Sequence, residues 1–297
     1  MNNLELINKL YKPYRITKLS KCTIIDSSDG RFVCKPCEEK NLRDLFLYLK
    51  GRNFTEFPNI VDDSRSGMYI FEYLDGYSYP LEQKGLDLIK LLASLHEKTS
   101  YTREVREDKY KEIFENLKNN LSYYKYQYEK MCNDIEEEIF MSPSHYLFIR
   151  NYSKLVNQLK FCENKLNDWY SEVKDKREIR VCTVHNNISL DHYIKGDREA
   201  LISWEKSTVD SPILDIYSLY QKEWMNLEFK SILSSYLKYY PLNKDELDLL
   251  LIMLCMPKDI VFLPNEFKSC ENVESILDYV FKTEELVKPY YLKEDKV

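Results

Sequence analysis

From residue 108 to residue 175, large side chains return at alternating intervals of three and four. The first run is Phe114, Leu117, Leu121, Tyr124, Tyr128, Met131 and Ile135. The second is Phe148, Tyr152, Leu155, Leu159, Cys162, Leu166, Trp169 and Val173. Such stepping lays one apolar stripe along a helix, and a stripe this long needs a partner helix to cover it. Ser142-Pro143-Ser144 separates the two runs. The pattern predicts two long helices joined by a proline turn and packed as an antiparallel hairpin. Charge gathers on the outer face, as in "DIEEE" at 134–138. That face reads as a solvated helical insertion or, alternatively, as a docking arm or a wall of a substrate site.

Residues 13–80 carry strand and turn signals instead. "YRITKL", "CTIID" and "RFVCK" are short strand candidates, and Asp29-Gly30 supplies turn chemistry between the last two. "EEKNLRDLFLYLKGRNF" is helical, with Leu42, Leu45, Phe46 and Leu49 on one face. "GMYIFEYLDGYSYP" is an apolar strand that leaves through Asp75-Gly76. From Leu86 the period is helical again. "LDLIKLLASLHEKTS" places Leu88, Leu91, Leu92 and Leu95 on a buried stripe, followed by His96 as a structural histidine. Beyond Tyr220 the chain reads as helical. Asn243 and Glu246 make a capping-box start there, and Pro257 stops that helix. The expected fold class is α+β and bilobal. A small β-rich N-lobe spans 1–76 and ends in a hinge strand. A large, mainly helical C-lobe spans 77–297 and carries the long helical hairpin 108–175.

The chain's 297 residues suffice for two lobes around a cleft. A hydrophobic fraction of 44% beside 31% charged residues supports an ordinary globular core. The net charge of −6 gives a nucleic-acid partner no electrostatic support. No apolar run approaches the roughly 18 residues of a membrane span. The opening "MNNLELINKLYKPYR" lacks the apolar centre of a signal peptide, so a cytoplasmic protein is expected. The eight cysteines then read as reduced thiols. Cys34 and Cys37 form a C-x-x-C, but the first ends a strand rather than opening a helix, and no second ligand pair is suitably spaced. Two ordinary half-buried cysteines are favoured over a redox or zinc site.

The segment that bears on chemistry is "VCTVHNNISLDHYIKGDREALISWEKSTVDSPILDIYSLY", residues 181–220. With "RFVCK", "YIFEYLDG" and "LIKLLASLHEKT" ahead of it, its order and spacing resemble the kinase-like fold of aminoglycoside and choline phosphotransferases. Within that fold it resembles the bacterial spore-coat kinase-like branch. The resemblance spans about residues 13–225. It implies that Lys35 is the phosphate-binding lysine and that the hinge around Glu72 and Tyr73 offers backbone groups to a nucleotide base. "VHNNISLDH" falls where the catalytic loop H-x-D-x-x-x-x-N belongs, and "LISWE" where the metal-binding strand belongs. His185 matches the loop's histidine. The catalytic aspartate position is Asn187, the metal-binding asparagine position is His192, and the metal-binding aspartate position is Ser203. Trp204, Glu205, Asp210, Pro212 and Asp215 keep the family's structural pattern, and Asp215 is the carboxylate expected to brace the loop.

Phosphoryl transfer needs a lysine on the phosphates, a carboxylate for the attacking hydroxyl and oxygen ligands for magnesium. Asn187 cannot take a proton as a carboxylate does, Ser203 lacks charge, and His192 is a poor magnesium ligand. "TKLSK", between the first two strands, has no glycine for close approach to phosphates. Glu38, Glu39 and Asp44 are the candidate carboxylate partners of Lys35. The expectation is a pseudokinase that binds a nucleotide-like ligand or a protein partner, the latter through the 108–175 hairpin. ATP is the candidate cofactor, with weak or no magnesium dependence. The resemblance also implies association with a spore coat or envelope assembly. The alternative is an active small-molecule phosphotransferase acting on a sugar or amino alcohol, with Asp191 as a displaced base and Glu205 or Asp210 recruited. A transition-metal site at His185, Asp191 and His192 is a lesser alternative, and a helical scaffold without a cleft function a third.

Overall fold

The computed structural model describes residues 12–19, 22–36, 41–65 and 68–291. In chain order the elements begin with β1 (Arg15–Lys18), β2 (Thr23–Ser27), β3 (Gly30–Pro36), α1 (Leu42–Gly51), β4 (Ile60–Arg65), β5 (Met68–Glu72), α2 (Leu81–Thr99) and β6 (Tyr101–Glu104). They continue with α3 (Lys109–Glu136), α4 (Pro143–Val173), β7 (Glu178–Val184), β8 (Tyr193–Lys195), β9 (Glu199–Leu201) and β10 (Thr208–Asp210). Four helices follow: α5 (Ile213–Glu223), α6 (Phe229–Tyr239), α7 (Lys244–Leu254) and α8 (Glu266–Tyr291). The fold is α+β, with a β-rich N-terminal sheet and a helical C-terminal part, as expected.

Packing divides the chain into two compact units, neither continuous in sequence. The first joins the described residues up to Ser100 with Cys182–Ser218. Its sheet runs β1-β2-β3-β5-β4, every neighbour antiparallel. Gly30 takes φ +129° in the β2–β3 turn, a backbone state that a side chain would oppose. Ile25, Cys34, Met68 and Ile70 form a core cluster on the sheet. Asn41 caps α1 by accepting from the Asp44 N–H at 3.2 Å. Leu42, Phe46 and Leu49 are buried, as their spacing predicts. The aromatic rings of Phe46, Phe54 and Phe57 close around Trp204, with centroids 6.1–6.4 Å from it.

The second unit holds Tyr101–Val181 and the residues from Leu219 onward. The helical hairpin forms as its periodicity predicts. α3 and α4 pack together, burying Leu121, Tyr128 and Ile135 on one and Phe148, Leu155, Leu159, Cys162, Leu166, Trp169 and Val173 on the other. Ser142 caps α4 and Pro143 opens it. Polar tips on the stripe find partners: Tyr128 donates to the Lys258 carbonyl at 2.6 Å and Trp169 to the Asp245 carbonyl at 3.0 Å. Glu246 accepts from the Asn243 N–H at 2.7 Å, half of the capping box read from the sequence. The same carboxylate pairs with Arg180. No helix among the described residues is long and apolar enough to cross a membrane.

Candidate active site

The site lies wholly within the first unit and rests on a buried carboxylate. Asp215, fully buried, accepts from the backbone N–H of His185 at 2.6 Å and of Asn186 at 2.8 Å. His96 places its Nε2 3.3 Å from the same carboxylate. Burial alone would push this carboxyl group up, but hydrogen bonds and charge from His96 and His185 hold it below its usual range. Asp215 therefore fixes the loop that follows β7, as the resemblance implied. Asn186 supports the bend by adopting the left-handed region, φ 56°, which asparagine tolerates well.

The loop is tied next to the strand carrying Ser203. His185 Nε2 lies 2.9 Å from the Ile202 carbonyl, so that nitrogen carries the proton and Nδ1 is left buried without a partner among the described residues. The His192 backbone carbonyl accepts from the Ile202 N–H at 2.9 Å. His192 Nδ1 donates to the Asn187 carbonyl at 2.5 Å. The ring therefore serves the loop's own backbone. Asp191 is exposed, in a short 3₁₀ turn spanning Leu190–His192.

Ser203 is left-handed too, at φ 70° and ψ 51°, which costs a non-glycine residue on the order of 1 kcal/mol. The bend carries its hydroxyl to the ammonium of Lys35, 2.9 Å from Nζ to Oγ. Glu205 Oε1 lies 2.6 Å from the same nitrogen. Both ionic side chains are largely screened from solvent, at 17% and 23% exposure. This partner differs from the carboxylates expected. Asp44 accepts from Asn41 at the start of α1, while Glu38 and Glu39 lie outside the described residues. Cys37 lies outside them as well, so only the Cys34 half of C-x-x-C is placed, buried on β3.

A cavity of about 280 Å³ opens beside this contact. Ile24 and Val33 line it from the sheet, Ile194 and Ile202 from the other side. Glu72, Tyr73 and Leu74 lie along its edge, and Lys35, Ser203 and Glu205 at its polar end. The Tyr73 N–H is engaged by the Arg31 carbonyl at 3.0 Å. The Glu72 carboxylate accepts from the Asn59 N–H at 2.8 Å and pairs with Arg198. Lys35, Glu72, Tyr73 and Ser203 thus line one cavity. His185, Asn187 and Asp191 do not line this cavity.

The transition-metal alternative fails on geometry. His185 is locked in the interior with its Nε2 on Ile202, whereas Asp191 faces solvent. No group of three His, Cys, Asp or Glu side chains among the described residues is arranged to hold a metal ion.

An aminoglycoside phosphotransferase from Alicyclobacillus acidocaldarius superposes with a TM-score of 0.68 at 12% identity, covering 96% of this chain and 93% of its own. The fold is that of the aminoglycoside phosphotransferases. An AMP-bound spectinomycin phosphotransferase matches this kinase-like fold at TM-score 0.51 and 12% identity, over 96% of this chain and 92% of that one. A glucosamine kinase does so at 0.50 and 10% identity, over 93% and 74%. No protein-family model and no curated protein sequence matches the chain. At these identities the likeness establishes the kinase-like fold and leaves the chemistry to the residues.

Proposed function

We propose that this chain is a kinase-like binding protein that has lost phosphoryl transfer. It takes a flat, nucleotide-like ligand in the cavity beside Lys35, or presents its surface to a protein partner. The observation that carries this reading is the contact of Lys35 with Glu205 and Ser203. An active kinase also pairs this lysine with a carboxylate, but one on a helix of the small lobe, which leaves the metal-binding aspartate to the magnesium. Here the partners are Glu205 and Ser203, beside and at the position that the resemblance assigns to that aspartate, so the lysine is tied to the place where the metal would sit.

The donor set supports the same reading. Magnesium asks for several hard oxygen ligands in near-octahedral array. Of the two positions that the resemblance assigns to metal, one is the Ser203 hydroxyl and the other an imidazole whose Nδ1 serves the Asn187 carbonyl. ATP therefore fits in part. Apolar walls suit its base, but its phosphates would meet the Glu205 carboxylate unless Lys35 were released. A binding role also accords with the spore-coat or envelope setting that the sequence resemblance implies.

One observation favours the active alternative: Glu205 lines the cavity and has the charge that a metal ligand needs. In that reading Asp191 or Asp210 serves as base. Calorimetry with ATP and ADP, with and without magnesium, separates the two on wild type, Lys35→Ala and Glu205→Gln. The expected result is weak binding indifferent to magnesium and strengthened for ATP in Glu205→Gln, where Lys35 is freed. Magnesium-dependent phosphorylation of a hydroxyl compound, abolished by Asp191→Ala or Asp210→Ala, would overturn the proposal.

A further inference from the structure

Two features of the second unit play no part in the site above. The first is the turn between α3 and α4. Ile139 and Phe140 stand 90% and 89% exposed, and Met141 beside them is also exposed. Large apolar side chains this bare at the end of a rigid hairpin are unfavourable in water. Carboxylates precede them, with Asp134, Glu136 and Glu137 all exposed on the last turn of α3 and just past it. Glu138 is partly held by His145 Nδ1 at 2.9 Å.

The second feature is a cavity of about 730 Å³ between α4 and α8. Phe161, Val280 and Val287 give it apolar walls. Lys154, Lys165 and Lys288 stand around it against a single carboxylate, Glu284, which Lys154 approaches to 3.5 Å. Within it the Gln158 side chain donates to the Cys255 carbonyl, while its buried Oε1 accepts from no group among the described residues.

The features complement each other: an apolar tip among carboxylates, and an apolar socket with an excess of lysines. We propose that the chain forms a two-fold symmetric dimer in which the Ile139–Phe140 tip of each copy enters the α4–α8 cavity of the other. Reciprocity is geometrically available because tip and socket belong to one hairpin. Residue 140 lies just ahead of α4 and the socket centres near residue 160, so at about 1.5 Å per helical residue they stand roughly 25–30 Å apart. Two α4 helices packed antiparallel about an axis near residue 150 bring each tip beside the opposite socket. Both contacts close, and no open filament grows. The carboxylates argue against an anionic membrane surface as the occupant, since it would repel them.

Sedimentation velocity on the full chain across a concentration series tests this. The expected result is reversible dimerisation, weakened about tenfold or more by Phe140→Asp and by Lys165→Glu with Lys288→Glu. Phe140 is exposed, so Phe140→Asp should keep the wild-type melting temperature. Mixing the tip variant with the socket variant leaves one intact contact per heterodimer and should restore part of the association. A wild-type chain monomeric at every concentration overturns the proposal, and so does a dimer that ignores both variants.

Discussion

The proton on His185 sits on Nε2, where it meets the Ile202 carbonyl, and the ring is fully buried. Burial, the largest influence, lowers its pKa from 6.5 to about 4, although Asp215 nearby works in the opposite direction. The sign follows from comparing the two states. Below pH 6.5 the unfolded chain takes up a proton that the folded ring refuses until about pH 4. Stability from this group therefore falls across that window, by about 3 kcal/mol in all. Asp215 acts in a more acid window. Its folded pKa is depressed, so its contribution is present above the ordinary carboxylate range and is lost as pH falls through the lowered value. Wild type should thus lose melting temperature steadily from pH 7 to pH 4.5. His185→Gln keeps a donor toward Ile202 without the titration, so its deficit relative to wild type should shrink on acidification. A constant gap across that range would refute the assignment. Asp215→Ala is the harsher change. It leaves one buried and one half-buried N–H group without their acceptor, and should cost about 3 kcal/mol in urea unfolding at neutral pH.

Among the elements, the β8–β9 hairpin controls how the chain leaves β5. Tyr77 donates its backbone N–H to the Lys195 carbonyl at 2.8 Å and its hydroxyl to Asp197 at 2.5 Å. At the hairpin turn, a Cβ on Gly196 would lie 2.0 Å from the Asp75 carbonyl oxygen. No rotamer relieves a clash between two backbones. Gly196→Ala should cost about 1–3 kcal/mol. It should also weaken ligand binding more than a control of equal stability loss, because Ile194 on β8 lines the cavity. Urea titration beside calorimetry checks both parts, and an unchanged urea midpoint would discount the contact. Little of this hairpin was legible in sequence: β8 and β9 are three residues each, too short for a period to register. The α3–α4 hairpin was legible nearly residue by residue, because fifteen positions repeat one rule. At the site, the order of motifs pointed to Lys35 and Ser203, which line one cavity, and to Asp215, whose hydrogen bonds to the loop the structure shows. Glu205 as the partner of Lys35 was missed, since 170 residues separate them and only the left-handed bend at Ser203 brings them together.

At the scale of the molecule, the first unit is built from two distant parts of the chain, and its core shows why neither suffices. Trp204, buried and from the later segment, meets rings supplied by the earlier one. The backbone is stitched across the same divide. Leu201 N–H donates to the Glu56 carbonyl at 2.9 Å, Arg198 to the Phe57 carbonyl at 3.1 Å, and Thr183 N–H to the Thr99 hydroxyl at 3.0 Å. A fragment of residues 1–100 would expose Phe46, Phe54 and Phe57 and leave His96 without Asp215. Such a fragment should keep hairpin and helix content but lose fixed packing, binding a hydrophobic dye and giving a collapsed amide spectrum. Joining 1–100 to 182–218 through a short flexible linker restores the missing wall. That chimera should give dispersed amide resonances and a cooperative melt. A cooperative melt from residues 1–100 alone would mean that the sheet and α1 carry a core of their own, with Trp204 packed onto a surface already formed.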